Sequence, residues 1–88
     1  MAVKGSGRKG STKDAENAAF GSVIRTLRRE RGHSQEQLAE GCNSSQVYIS
    51  ELEGGRREPC LSMILRLAHA LEVKASELIE GTVANLTK

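Results

Sequence analysis

The chain has 88 residues, 38% hydrophobic and 2% aromatic, with 13 basic and 11 acidic side chains for a net charge of +2. That length holds one small domain; Phe20 and Tyr48 are its aromatics, so the core must be aliphatic, and no stretch reads as a membrane span or a signal peptide. Residues 1–17 carry four basic and two acidic groups, hence +2, and residues 18–88 carry nine of each, hence zero, so composition alone does not mark a nucleic-acid binder.

Residues 1–17 lack apolar periodicity and are rich in Gly, Ser and Lys, so a disordered basic leader is expected. Such an arm either touches DNA phosphates or is simply solvated. Gly5-Ser6-Gly7-Arg8-Lys9-Gly10 spells a dinucleotide fingerprint, but no strand fits ahead of it and no βαβ unit follows. The globular domain is expected over residues 18–81, followed by a tail at 82–88.

A first helix is predicted from about Ala18 to Arg31, with Phe20, Val23, Ile24 and Leu27 as its apolar stripe and Gly32 ending it. Ser34-Gln35-Glu36-Gln37 has the form of a capping box opening a second helix. Leu38, Ala39 and Cys42 follow at helical spacing, and Asn43 suits a sharp, left-handed stop. Ser45 can cap a third helix with Ile49 and Leu52 on one face. Gly54 and Gly55 offer positive φ in the next turn, and Pro59 sets up a fourth helix. That helix covers about Leu61 to Leu71, with Leu61, Ile64, Leu65, Leu67, Ala68 and Leu71 expected at the centre of the core. Ser76 caps a short fifth helix carrying Leu78 and Ile79 and ending at Gly81. The class is all-α.

Cys42 and Cys60 lie in or beside apolar patterns and are read as small buried hydrophobes in a reducing cytosol. With His33 and His69 they lack the paired spacing of a zinc site, so no metal and no cofactor are expected. The single Asp, Asp14, lies in the leader, and nothing assembles a catalytic triad, so no enzyme is expected.

Two short helices joined by a tight turn form a helix-turn-helix pattern. SQEQLA, then YISELEGGRREP, then a leucine-rich helix resembles the DNA-binding domain of the Cro/C1 (XRE) family over about Phe20 to Glu80. The resemblance implies a compact five-helix, lambda-repressor-like fold. It places the N-terminal end of the third helix in the major groove, with Ser45, Gln46, Val47 and Glu51 meeting base edges. The Gln46 carboxamide suits adenine, and Glu51 can accept from cytosine N4 or, instead, order Arg56 or Arg57. Gln35, Tyr48, Arg56 and Arg57 are the phosphate candidates, and Tyr48 alternatively packs. Arg28 and Glu53 are expected to form a structural ion pair. Three residues depart from the family pattern: Ser44 where an apolar residue usually packs, Cys60 where a Ser, Thr or Asp caps, and Glu51 in a recognition helix with no basic residue.

The expected function is sequence-specific transcriptional regulation on double-stranded DNA in the cytoplasm. The protein would act as a homodimer on a pseudo-palindrome, since one domain reads few base pairs. With no room for a separate oligomerisation domain, dimer contacts are assigned to the fifth helix and tail, through Leu78, Ile79, Val83 and Leu86, although Leu78 and Ile79 can equally finish the core. The alternative class is a protein-interaction module, such as an antitoxin or a restriction-modification controller.

Overall fold

The computed structural model describes residues 12–87. Five helices follow in order: α1 (Thr12–Glu30), α2 (Gln35–Gly41), α3 (Gln46–Glu53), α4 (Leu61–Leu71) and α5 (Ala75–Leu86). No strand occurs among the described residues. Part of the expected leader, residues 1–11, lies outside them. The rest of it is helical: α1 begins at Thr12, not near Ala18. Asp14 in its first turn complements the helix dipole, and Lys13 reaches Glu58 at 3.1 Å. These contacts are polar, which is why apolar periodicity alone did not reveal the extra turns.

Local chemistry sets the helix-turn-helix. Ser34 Oγ accepts from Gln37 N at 3.0 Å, and Gln37 Oε1 accepts from Ser34 N at 2.8 Å. Such a cap contributes about 1 kcal/mol. Asn43 takes φ 58°, so the chain turns sharply after α2. Ser45 Oγ then caps α3 by accepting from Tyr48 N at 3.0 Å. Ser44, the expected weak point between the helices, is half-buried. In the turn after α3 only Gly55 adopts positive φ, at 78°, while Gly54 sits at −83°.

The core gathers Phe20 and Ile24 from α1, Leu38, Ala39 and Cys42 from α2 and its end, Ile49 and Leu52 from α3, Met63, Leu67, Ala68 and Leu71 from α4, and Leu78 from α5. Each large aliphatic group removed from water contributes about 1.5–3 kcal/mol. Two expectations about α4 are corrected. Leu61 and Leu65 are 71% and 52% exposed, and Met63 is buried instead. Met63, Leu67 and Leu71 repeat every fourth residue and define the inward face, which leaves Leu61 and Leu65 turned away. Cys60 is exposed rather than buried, and it offers α4 no side-chain cap.

α5 does not stop at Gly81 but continues to Leu86 through most of the expected tail. Packing against α1 outweighs the glycine's poor helix propensity. A Cβ at Gly81 would stand 3.1 Å from Val23 Cγ2, so the bare backbone lets the two helices close up. Asn85 Nδ2 donates to Ala19 O at 3.1 Å and ties down the far end. Glu77, rather than Ser76, supplies the opening contact by accepting from Lys74 N at 2.9 Å. Leu78 is fully buried, so it finishes the core and is unavailable to a partner.

Gly21 has the tightest setting. A Cβ there would run into Leu52 O and lie 2.9 Å from Glu53 O, both backbone atoms of α3. Gly21→Ala should therefore force α1 and α3 apart and cost about 1–3 kcal/mol in urea denaturation, as overpacking does. Gly81→Ala should cost less, because the Val23 side chain can yield and alanine gains about 1 kcal/mol of helix propensity. Equal losses for the two variants would refute the assigned close approach.

Candidate nucleic-acid interface

α3 has two faces. Ile49, Leu52 and Glu53 point inward and are buried. Ser45, Gln46 and Val47, at its N-terminal end, are exposed. Tyr48 is half-buried and packs against the core, as one of the two readings for it required.

Glu53 anchors the inward face. Arg28 Nε donates to Glu53 Oε2 at 2.6 Å and Arg28 Nη2 to Glu53 Oε1 at 3.2 Å, a forked contact from α1 to α3. Arg28 Nη1 also donates to His33 O at 2.7 Å, which fixes the loop before α2. Arg25 approaches Glu53 Oε1 at 3.6 Å. Burial pushes the Glu53 carboxyl up, but the hydrogen bonds from Arg28 and Gln35 and the charges of Arg28 and Arg25 outweigh it. The net direction is below the ordinary value of 4.5.

Gln35 links this anchor to the exposed end of α3. Its Nε2 donates to Glu53 Oε1 at 3.0 Å, and its Oε1 accepts from Gln46 Nε2 at 2.7 Å. An unbroken chain thus runs from Arg28 through Glu53 and Gln35 to Gln46. Sequence reasoning named all four residues and the Arg28–Glu53 pair but not the two links made by Gln35, since Gln35 and Glu53 lie eighteen positions apart. The usable signal is the capping box, which puts Gln35 in the first turn of α2.

At the other end, Glu51 accepts from Arg57 Nε at 2.7 Å. The Arg57 guanidinium lies 5.5 Å from the centre of the Tyr48 ring. Of the two expectations for Glu51, this geometry matches the ordering of the loop. Burial, then the neighbouring Cys60 thiol, pushes the Tyr48 hydroxyl up against the opposing pull of Arg57, so it stays a protonated donor at neutral pH. Arg56 is exposed. Among the described residues, no cluster of three or more His, Cys, Asp and Glu could hold a metal ion, and no helix is long and apolar enough to cross a membrane.

The Glu53 geometry sets a pH dependence. A carboxyl held below its unfolded value stabilises the fold above that value and loses its contribution as the pH falls through the folded one. Glu53→Gln should cost about 3 kcal/mol at neutral pH, mostly from stranding Arg28. The deficit relative to the unmodified chain should shrink as the pH drops below about 4.5. Melts across that range check this, and a pH-independent deficit would contradict the pairing.

The sequence matches the helix-turn-helix family over residues 24–78. It is 44% identical over 62 residues to the uncharacterised HTH-type transcriptional regulator y4dJ of Sinorhizobium fredii, covering 70% of this chain and 80% of that one. It is 36% identical over 64 residues to the control protein C.BamHI of Bacillus amyloliquefaciens, covering 72% and 79%. Among solved structures, the restriction-modification controller C.AhdI of Aeromonas hydrophila superposes with a TM-score of 0.71 at 39% identity, over 73% of this chain and 97% of that one. The chain therefore belongs to the helix-turn-helix family of Cro/C1 (XRE) type, whose members are DNA-binding transcriptional regulators.

Proposed function

We propose that the protein binds a pseudo-palindromic operator as a homodimer in the cytoplasm, with α3 of each copy in a major groove. The observation that carries this reading is the division of α3: its N-terminal end is exposed while the rest is clamped by a buried ion pair. A rigid helix with a free end can hold donors and acceptors against base edges. Ser45, Gln46 and Val47 form that reading end. Ser45 already accepts from Tyr48 N, which leaves its O–H to donate. Val47 offers methyl groups to thymine. We assign Glu51 to holding Arg57 in place, not to reading cytosine, because its carboxylate is engaged there.

Phosphate contacts fall to Arg56, Arg57, the Tyr48 hydroxyl and the remaining N–H of Gln35. Residues 18–88 are electrically neutral, so affinity would come from placement and from two copies acting together. The second copy would dock on α5. Ile79, Val83 and Leu86 are 47%, 52% and 41% exposed and stand four and three residues apart on one face.

Control of a restriction-modification system is the specific regulatory role that the relatives favour. C.BamHI is a control protein and C.AhdI a restriction-modification controller, and each is matched over most of its length. A selected operator that recurs beside a restriction or methyltransferase gene would support this role, and its absence there would remove it.

Selection from random DNA tests the reading, and two substitutions should then fail differently. Gln46→Ala should cost about 1–3 kcal/mol on the selected operator and little on random DNA. Arg56→Ala should weaken both and lower the salt slope by about one. Identical losses on both DNAs for both variants would overturn the roles. Val83→Glu should yield a folded monomer in sedimentation, with operator affinity reduced more than affinity for a half-site. A variant that remains dimeric would move the interface elsewhere.

A further inference from the structure

Two glycines follow one another at the end of α3, and the backbone accounts for only one of them. Gly55, at φ 78°, closes the helix: its N–H donates to Leu52 O at 3.1 Å, and the Arg56 N–H donates to Glu51 O at 2.9 Å. Gly54 sits at φ −83° and ψ 1°, a conformation that most residues adopt without strain. Its lack of a side chain has another use. A Cβ at Gly54 would stand 2.9 Å from Arg56 Nη1 and 3.5 Å from Arg56 Cζ. The guanidinium of Arg56 thus folds back over α3 and occupies the space that a side chain at position 54 would fill.

The place it occupies matters. Val47, Ser50 and Gly54 are spaced three and four residues apart, so they share one face of the helix. That face begins at the proposed reading end, and α3 itself, Gln46–Glu53, contains no lysine or arginine. Arg56 therefore brings to it a positive charge that the helix lacks. Two features keep the charge there. The backbone bond to Glu51 O holds Arg56 against the last turn, and the carbonyl end of α3 carries partial negative charge that favours a cation.

We propose that Gly54 positions Arg56: the bare backbone seats the guanidinium on the outward face of α3, already ordered to meet a DNA phosphate at the edge of the groove. Gly54 is a positioning residue here, since it need not touch the DNA. The inference rests on the reading of Arg56 as a phosphate contact. It goes further by making that contact depend on an absent side chain two positions earlier. An arginine held in one place gives up less rotamer freedom on binding than a free one.

The test is a double-mutant cycle between Gly54→Ala and Arg56→Ala in the full chain, read as affinity for the selected operator and for random DNA, with thermal melts alongside. Alanine suits the backbone at position 54, and the far end of an arginine can move aside. Gly54→Ala should therefore melt at the same temperature or a few degrees higher. Its affinity should nevertheless fall about two- to tenfold, on operator and random DNA alike. In the Arg56→Ala background the same substitution should change affinity by less than about twofold. Unaltered affinity in Gly54→Ala would overturn the proposal. So would an equal loss in the Arg56→Ala background, since the methyl group would then act on the DNA itself. A lowered melting temperature would overturn it too, since the methyl group would then be meeting backbone. The parent reading fails differently: Arg56→Ala would leave random-DNA affinity and its salt slope intact.

Discussion

The buried contact between Arg28 and Glu53 is the constraint on which the rest of the molecule depends. Both side chains are nearly removed from water, and each alone would be a serious liability in a core this small. The fork of Arg28 matches the carboxylate bidentately, and its third nitrogen takes up the His33 carbonyl. One side chain of α1 thus fixes the end of α3 and the entry to α2. The pair adds little net stability over a well-packed apolar substitute. Its value lies in direction: an aliphatic contact would let α3 rotate or slide, whereas two charge-assisted hydrogen bonds leave one arrangement.

Charge elsewhere follows a local logic. Within the neutral residues 18–88 basic groups sit beside acidic ones, Arg31 with Glu72 and Arg57 with Glu51, and from before them Lys13 of the first turn reaches Glu58. Pairs of this exposed kind contribute little to stability. One of them, the pair with Glu51, orders an arginine that the proposed function assigns to phosphate. Arg57 is held twice, by Glu51 and over the Tyr48 ring. An arginine already ordered loses less entropy on meeting DNA than a free one.

Much of this was legible in the sequence, and the reasons are local. Ser34 with Gln37, Asn43 and Ser45 act within a few residues of themselves, so their chemistry reads directly as two capped helices and a turn. The resemblance to repressors added the link between Arg28 and Glu53, which no spacing argument reaches. The parts that were hidden depend on partners distant in the chain. The start of α1 at Thr12 is polar and gives no periodic signal. The run of α5 through Gly81 depends on Val23 and Ala19, sixty-six residues away in the case of Asn85. Leu61 and Leu65 look like core by type, and only the phase of α4 against its neighbours turns them outward. Likewise the Gln35 amide bridges α2 and α3, and a linear reading sees only two polar residues.

The glycine at position 21 leaves α1 and α3 in backbone-to-backbone contact. Side chains are compressible and exchangeable, whereas peptide groups are neither. The depth at which α3 sits is thus set by parts that mutation can scarcely alter without loss. The seat of the helix, at Ile49, Leu52 and Glu53, shares no residue with its outward end at Ser45, Gln46 and Val47. If that outward end reads DNA as proposed, retargeting the protein to a new sequence becomes a problem centred there. Val47 can be varied without touching the frame, whereas a change at Ser45 removes the cap of α3 and one at Gln46 removes the link to Gln35.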